Sequence, residues 1–146
     1  MNKLQITFGE PEHHWLPVHL IVADFDLEFE ASPILNDPIE QLIETLIMVS
    51  ESIDAEVLWF LEPLEYIFRF KLKSGGVSLF ITMKAEESSE SEVYQFTGDF
   101  HAVVLPFWRA IKARFANNQF PTMHWSSPSA ERLQKLDIAI KSRKPF

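Results

Sequence analysis

The sequence predicts an α+β domain built from a single antiparallel sheet of five to six strands, with three helices packed mainly on one face of that sheet. Three observations support this fold class. Runs of alternating apolar and polar residues, separated by short turns, predict an N-terminal hairpin and a later strand meander. Apolar stripes at helical spacing predict three helices. The length of 146 residues and the hydrophobic share of 47% fit one domain over residues 1–146.

The N-terminal hairpin is predicted from two apolar stretches, Leu4–Phe8 and Trp15–Glu30, which flank a turn at Gly9–Glu12. The second stretch alternates with a period of two, so we interpret it as one long strand. Its odd-numbered face is apolar. Its even-numbered face is apolar at first and then becomes a row of four carboxylates: Asp24, Asp26, Glu28 and Glu30.

A first helix and a strand meander follow this hairpin. The helix is predicted over residues 38–53, with Asp37 as its N-cap and Pro38 at the first helical position. The meander is predicted from β-rich runs separated by turn residues. It consists of four strands: Glu56–Leu61, Glu65–Lys73, Val77–Lys84 and Glu92–Thr97.

Two further helices complete the predicted fold. One follows Asp99 and ends near Asn117-Asn118, with a kink expected at Pro106 because proline lacks the backbone N–H. The last helix is predicted to have Ser127 as its N-cap and Pro128 at its first position.

The composition excludes several classes of function. Cysteine is absent and only four glycines occur, which rules out disulfides, thiol chemistry, Cys-based metal sites, dinucleotide fingerprints and Walker-type phosphate loops. The net charge of −8 argues against nucleic acid or an anionic membrane as the partner. The first residues lack a secretory apolar core and no apolar run approaches bilayer length, so we expect a cytoplasmic protein.

The sequence contains no recognisable catalytic or metal-binding constellation. The five histidines show no His-x-x-x-His spacing on a predicted helix, and His19 is assigned to the apolar side of its strand. Ser127 is explained as a helix cap rather than as a nucleophile. We therefore expect no catalytic residue, no metal ligand and no cofactor, and we interpret the chain as a non-enzymatic binding protein.

The charges are divided unevenly along the chain. Residues 1–66 contain fourteen acidic side chains and one lysine, a net charge of −13, whereas residues 67–146 contain twelve basic and seven acidic side chains, a net charge of +5. This asymmetry predicts surfaces of opposite sign. The four carboxylates of the long strand are the candidate partner-binding residues. Same-face neighbours on a strand lie roughly 6.5–7 Å apart, so these carboxylates form a line rather than a cluster that converges on a metal ion.

Several interpretations of these carboxylates are open. They form a solvated sheet face, a docking surface for a basic partner, or a metal-binding or acid–base site, although nothing in the row looks sheltered. They are purely structural if they pair across strands with the alternating bases Arg69, Lys71 and Lys73. The order of the strands decides whether these opposite charges cancel.

Aromatic side chains provide a second candidate site. The chain contains 13 Phe, 4 Trp and 2 Tyr, and we consider a ligand pocket between sheet and helix that is lined by Trp59, Tyr66, His101, Trp108 and Arg109. The aromatic residues follow strand and helix periods, so a packed core is the competing interpretation. Further aromatic residues lie in less regular segments, and any that are exposed favour a homodimer: Trp15, Phe120 and Trp125.

The segment Trp59–Phe70 resembles part of a known group of proteins. Its pattern Trp-x-x-Glu-Pro-x-x-Tyr-x-Phe-x-Phe, after a helix that starts with Asp-Pro, resembles small uncharacterised bacterial α+β proteins over about residues 35–115, some of which look like immunity proteins of polymorphic toxin systems. The resemblance brings no catalytic residue. It implies a cytoplasmic protein that binds and blocks a toxin domain, for example in the basic groove of a nuclease.

The predicted function is therefore that of an immunity-like binding protein that presents an acidic surface to a basic partner. The alternative is a small-molecule-binding or weakly catalytic domain that uses the aromatic pocket.

Overall fold

The computed structural model describes residues 3–85, 89–116 and 125–143, and within these residues it contains two antiparallel sheets and three helices. In chain order the elements are β1 (Gln5–Phe8), β2 (Leu16–Val22), β3 (Phe25–Ala31), α1 (Pro38–Ser50), β4 (Ala55–Phe60), β5 (Glu65–Lys73), β6 (Gly76–Lys84), β7 (Ser91–Gly98), α2 (Phe100–Phe115) and α3 (Ala130–Ser142). The first sheet has the order β1-β2-β3 and the second has the order β4-β5-β6-β7. The prediction of a single sheet of five to six strands is therefore wrong.

The separation into two sheets has a physical cause at the outer edge of β4. Helix α1 turns polar side chains toward this edge, where another strand would otherwise pair. Gln41 Oε1 accepts a hydrogen bond from the Leu58 N–H at 2.7 Å, and Thr45 Oγ1 donates to the Glu56 carbonyl at 2.9 Å. Asn36 Nδ2 donates to the Leu58 carbonyl at 3.0 Å. These contacts satisfy outward backbone groups of Glu56 and Leu58 and so disfavour a neighbouring strand along this part of β4.

Strand β3 crosses over the second sheet instead of joining it. At its C-terminal end the Ser32 N–H donates to the Phe60 carbonyl at 2.8 Å, which gives one isolated bridge to β4. At its N-terminal end the ring of Phe25 stacks on Tyr94 of β7, with 4.3 Å between ring centroids. The strand thus runs from one side of the second sheet to the other.

The stretch predicted as one long strand consists of two strands and a two-residue turn. Val22 pairs directly with Phe25, and Ala23 in the turn has a φ of 55°. A two-residue turn places an even-numbered residue opposite an odd-numbered one, so the buried positions change from even numbers in β2 to odd numbers in β3. The buried residues of the two strands are Leu16, Val18, Leu20, Val22, Leu27, Phe29 and Ala31.

Helix α1 begins where its capping signals place it. It starts at Pro38 and ends at Ser50, before the predicted residue 53. The Asp37 side chain caps the helix by accepting the N–H groups of Ile39 and Glu40 at 3.1 and 3.2 Å. Burial raises the pKa of the Asp37 carboxyl, and this effect exceeds the lowering by the two hydrogen bonds.

The other two helices differ from prediction at their ends. Helix α3 has Ser129 as its N-cap, with the Arg132 N–H donating to Ser129 Oγ at 3.2 Å, so the predicted N-cap Ser127 is wrong. The prediction chose the serine before Pro128, whereas the serine after it caps the helix. Pro106 lies inside α2, and the stop predicted for this helix at residues 117–118 falls outside the described residues.

The predicted meander is confirmed as β4–β7, and β5 has the predicted bounds. The turn from β5 to β6 requires glycine at two positions. Gly75 has a φ of 77°, and a Cβ atom on Gly76 would lie 2.5 Å from the Gly98 carbonyl oxygen. This tight turn places β5 and β6 in register over their full length.

The core lies between the inner faces of the two sheets and the helices. Trp59 is completely buried within it. Its ring centroid is 6.1 Å from Phe8 of β1, 5.7 Å from Phe29 of β3 and 5.5 Å from Phe68 of β5. Because burial of one large apolar side chain contributes about 1.5–3 kcal/mol, these aromatic contacts are a principal attachment of the first sheet to the second.

We expect Asp37→Ala to lower the free energy of unfolding by about 1 kcal/mol, because two N–H groups of the first helical turn lose their acceptor. Asp37→Asn keeps an acceptor oxygen and should cost less. Urea unfolding of both variants, followed by circular dichroism, measures the difference. Equal losses for the two variants would contradict the capping role of this side chain.

Candidate functional site

Three carboxylates, those of Asp26, Glu28 and Glu30, form an acidic row on the outer face of β3. They alternate with buried residues of the strand, which fixes them on the side that faces away from the core. The side chains of Asp26 and Glu28 are 62% and 70% exposed. The fourth predicted residue, Asp24, is exposed in the turn that precedes β3 and lies outside the row. The structure thus brings three of the four predicted residues together.

His19 of β2 faces the acidic row. Its Nε2 atom is 2.8 Å from Asp26 Oδ1 and 4.0 Å from Glu28 Oε2. The assignment of His19 to the apolar side is wrong, because the odd-numbered residues of β2 form the outer face of the first sheet. Among the described residues, no lysine or arginine nitrogen lies within 4.0 Å of a carboxylate of the row.

The backbone of β3 has an unpaired edge at the same residues. The Gly9 N–H donates to the Pro17 carbonyl at 2.9 Å, so the odd-numbered residues of β2 hydrogen-bond to β1 and the even-numbered residues hydrogen-bond to β3. Their partners in β3 are the odd-numbered residues. The N–H and C=O groups of the acidic row therefore point away from β2, and within the described chain they have no hydrogen-bond partner.

The basic residues considered as cross-strand partners of the row lie on the other sheet. Arg69 of β5 makes two hydrogen bonds of 2.8 Å to the Glu90 carboxylate and one of 3.1 Å to Glu56. These bonds raise the pKa of Arg69 and lower the pKa of Glu90. Lys71 and Lys73 belong to the same strand. Since β3 and β5 are not neighbours, the interpretation that these bases neutralise the carboxylates does not hold.

The residues of the predicted aromatic pocket are distributed over separate places. Trp59 is fully buried, and Tyr66 stacks on Phe29 with 5.0 Å between ring centroids. Trp108 lies on α2, with Lys112 Nζ 4.3 Å from its ring centroid. None of these three aromatic side chains lines the cleft that contains the polar residues of the predicted pocket.

His101 and Arg109 line a surface cleft beside α2. The cleft has a volume of about 450 Å³ and includes Lys3, Leu4 and Leu105. It combines an apolar floor with basic side chains. The structure thus brings two of the five predicted pocket residues together.

The aromatic residues proposed for a homodimer are not a common exposed surface. Trp125 is buried, Trp15 is partly exposed, and Phe120 lies outside the described residues.

Two exposed apolar residues were missed by sequence reasoning. Ile34 and Leu35, in the segment that follows β3, are 71% and 60% exposed. The loop that carries them is ordered, since the Ile34 N–H donates to Ser32 Oγ at 3.2 Å and Asn36 is bonded to both α1 and β4. Two adjacent apolar residues within a turn segment were the available signal.

Among the described residues, no group of three or more His, Asp or Glu side chains is placed to hold a metal ion. None of the described helices has the length and apolar character that crossing a membrane requires. The exposed carboxylates, the unpaired strand edge and the apolar loop lie together at β3 and its C-terminal end.

No protein family, curated protein or solved structure matches this chain. The resemblance to immunity proteins therefore stays a prediction.

We expect the triple variant Asp26→Asn, Glu28→Gln and Glu30→Gln to keep its folding stability within about 0.5 kcal/mol per site, because the carboxylates have no lysine or arginine partner in the described chain. Relief of their mutual repulsion should raise its stability slightly at low salt. Arg69→Ala removes the hydrogen bonds to Glu56 and Glu90 and should give a measurable loss of folding stability. Urea unfolding at low and high salt compares the two variants, and a larger loss in the triple variant would show that the row is structural.

Proposed function

We propose that this chain is a cytoplasmic, non-enzymatic binding protein that presents the acidic row to a basic protein partner. The observation that carries this proposal is the absence of a lysine or arginine partner for the row within the described residues. Some acidic side chains elsewhere have such partners: Glu40 and Glu44 of α1 each lie 3.2 Å from Arg132 of α3. Like charges held in one line repel each other, and a cationic partner relieves that repulsion.

The surroundings of the acidic row support a protein as the partner. An open groove of about 550 Å³ crosses the outer face of the first sheet, lined by Thr7, Gly9, Pro17, His19, Glu28 and Glu30. Ile34 and Leu35 follow β3 at its Glu30 end and offer an apolar anchor. Charged groups steer association, whereas apolar side chains that become buried contribute most of the affinity of an interface.

The resemblance over residues 35–115 supports a more specific form of the proposal. The partner would be a toxin domain with a basic groove, such as a nuclease, and the chain would bind and block that groove. An acidic strand face can occupy a surface that otherwise binds phosphates, because a row of carboxylates and a phosphate backbone both present a line of negative charges.

A second candidate function rests on the cleft beside α2. Its basic residues and apolar floor fit a small anionic ligand with an apolar part. A thermal-shift screen of small aromatic carboxylates, run on the native protein and on Arg109→Ala, tests this candidate. Equal shifts in both proteins would contradict it.

We expect the double variant Asp26→Lys and Glu28→Lys to bind its partner at least about tenfold more weakly than the native chain, because two attractive contacts become repulsive. The partner is obtained by affinity capture from the source cytoplasm and elution with salt, and its affinity is then measured by titration calorimetry. The control variant Glu51→Lys and Glu131→Lys makes the same change in net charge on the helices and should bind normally. An unchanged affinity of the variant with Asp26→Lys and Glu28→Lys would contradict the proposal.

If the captured partner is a toxin domain, co-expression of the native chain should restore the growth of cells that produce it. The variant with Asp26→Lys and Glu28→Lys should fail to restore growth at equal abundance, because the basic groove of the toxin is no longer covered. Equal protection by both proteins would contradict the immunity form of the proposal.

We expect Ile34→Ser combined with Leu35→Ser to weaken partner binding by about tenfold or more, with folding stability changed by less than about 0.5 kcal/mol. The physical reason is that both side chains are exposed in the free protein and become buried in the complex. Ile138→Ser, on an exposed position of α3, is the matched control and should bind normally. Equal affinities of the two variants would exclude Ile34 and Leu35 from the interface.

A further inference from the structure

We infer that the partner binds by adding an extended strand to the open edge of β3, with basic side chains opposite the acidic row and apolar side chains on the inner side of the sheet. This inference rests on the proposed function and specifies the conformation and the sequence pattern of the partner. It depends on the backbone of β3 as well as on its carboxylates.

The edge of β3 differs from the other strand edges of the described chain. The edge of β1 lies against α2, where Arg114 Nε donates to the Phe8 carbonyl at 3.0 Å. The edge of β4 is satisfied by side chains of α1, as described above. The pairing of β7 with β6 has a register shift between Ile81 and Thr82. Irregularities of this kind make a strand edge a poor template for the addition of another strand. Strand β3 has regular pairing with β2 over its whole length. Ser32, just after the strand, donates to Phe60, but no described residue hydrogen-bonds to the outer edge of β3 itself.

The geometry of the edge determines where the basic residues of the partner lie. The outward N–H and C=O groups belong to Asp26, Glu28 and Glu30, the same residues whose side chains form the acidic row. In an antiparallel pair, the two residues that exchange hydrogen bonds place their side chains on the same face. Each partner residue that hydrogen-bonds to the row therefore faces a carboxylate, which favours lysine or arginine at every second position.

The inner side of the edge favours apolar residues at the remaining positions. Phe25, Tyr66 and Tyr94 are each partly exposed there. Phe25 stacks on Tyr94, and Phe29 stacks on Tyr66. Apolar side chains of an added strand would contact these rings, as alternate side chains do in other cases of strand addition. Strand β3 has seven residues and spans about 23 Å, so a segment of about seven residues fits its edge.

Charge identifies this segment as a basic partner rather than as a second copy of the chain. Two copies that paired through their β3 edges would bring two acidic rows onto one continuous sheet, where like charges opposite each other are destabilising. A basic segment turns the same contacts into attraction.

The first test uses a capped peptide, Val-Lys-Val-Lys-Val-Lys-Val, whose binding to the native protein is measured by fluorescence anisotropy. We expect salt-dependent binding of this peptide and no binding of the version with glutamate in place of lysine. N-methylation of the three lysine amides removes the N–H groups that face β3 and should weaken binding by more than about tenfold. N-methylation of three valine amides should change binding by much less. Equal effects of the two modifications, or no binding of the parent peptide, would overturn the inference.

The second test places proline on the edge of β3. Glu28→Pro removes the outward N–H and places a ring at the edge, a position where proline is compatible with an edge strand. Glu28→Ala is the matched control that removes the same carboxylate. We expect the proline variant to lose peptide binding and the alanine variant to lose part of it, with circular dichroism confirming that both are folded. If both variants bind the peptide equally, strand addition is wrong although the acidic face still binds basic partners. The charge-reversal experiment described above decides the proposed function separately.

Discussion

The hydrogen bonds from α1 and the preceding Asn36 to the outer edge of β4 are the contacts on which the arrangement of the two sheets depends. Backbone N–H and C=O groups at the edge of a strand need partners, and Gln41, Thr45 and Asn36 supply them. Because this edge is closed, the N-terminal strands form their own sheet and pack across the second one, with Trp59 buried between them. The same closure leaves β3 with an unpaired edge. These side chains thereby favour the separation into two sheets, which leaves the edge of β3 open.

The uneven distribution of charge along the chain has two different structural outcomes. Part of the N-terminal acidic excess is neutralised by bases distant in sequence, as when Arg132 contacts Glu40 and Glu44 and attaches α3 to α1. Arg69 similarly contacts Glu56 across adjacent strands. Among the described residues, the acidic row is contacted by His19 but by no lysine or arginine. The asymmetry is therefore both a device for holding helices together and a source of uncompensated charge on one sheet face.

The features that sequence reasoning predicted correctly depend on near neighbours. The cap at Asp37 and the turn after the strand Glu65–Lys73 act within a few residues, and alternation alone predicted the exposed carboxylates of β3. The turn at Ala23 was missed because no glycine or asparagine marks it, although the buried positions change from even to odd numbers there. The presence of two sheets depends on contacts such as that between Gln41 and Leu58, which no local pattern reveals. The open edge of the candidate site follows from the same contacts and was equally hidden.

The ordered loop after β3 has a consequence for the rates of association. Hydrogen bonds from Ser32 and Asn36 hold this loop in the chain alone, which reduces the conformational entropy that the proposed binding would cost. For the partner that we propose, the field of the exposed carboxylates acts at a distance and governs the frequency of productive encounters. In the complex that we propose, Ile34 and Leu35 act at contact distance and govern its lifetime. The proposed function thus assigns capture and retention of a partner to different residues within one short stretch of the chain, so that each rate responds to its own substitutions.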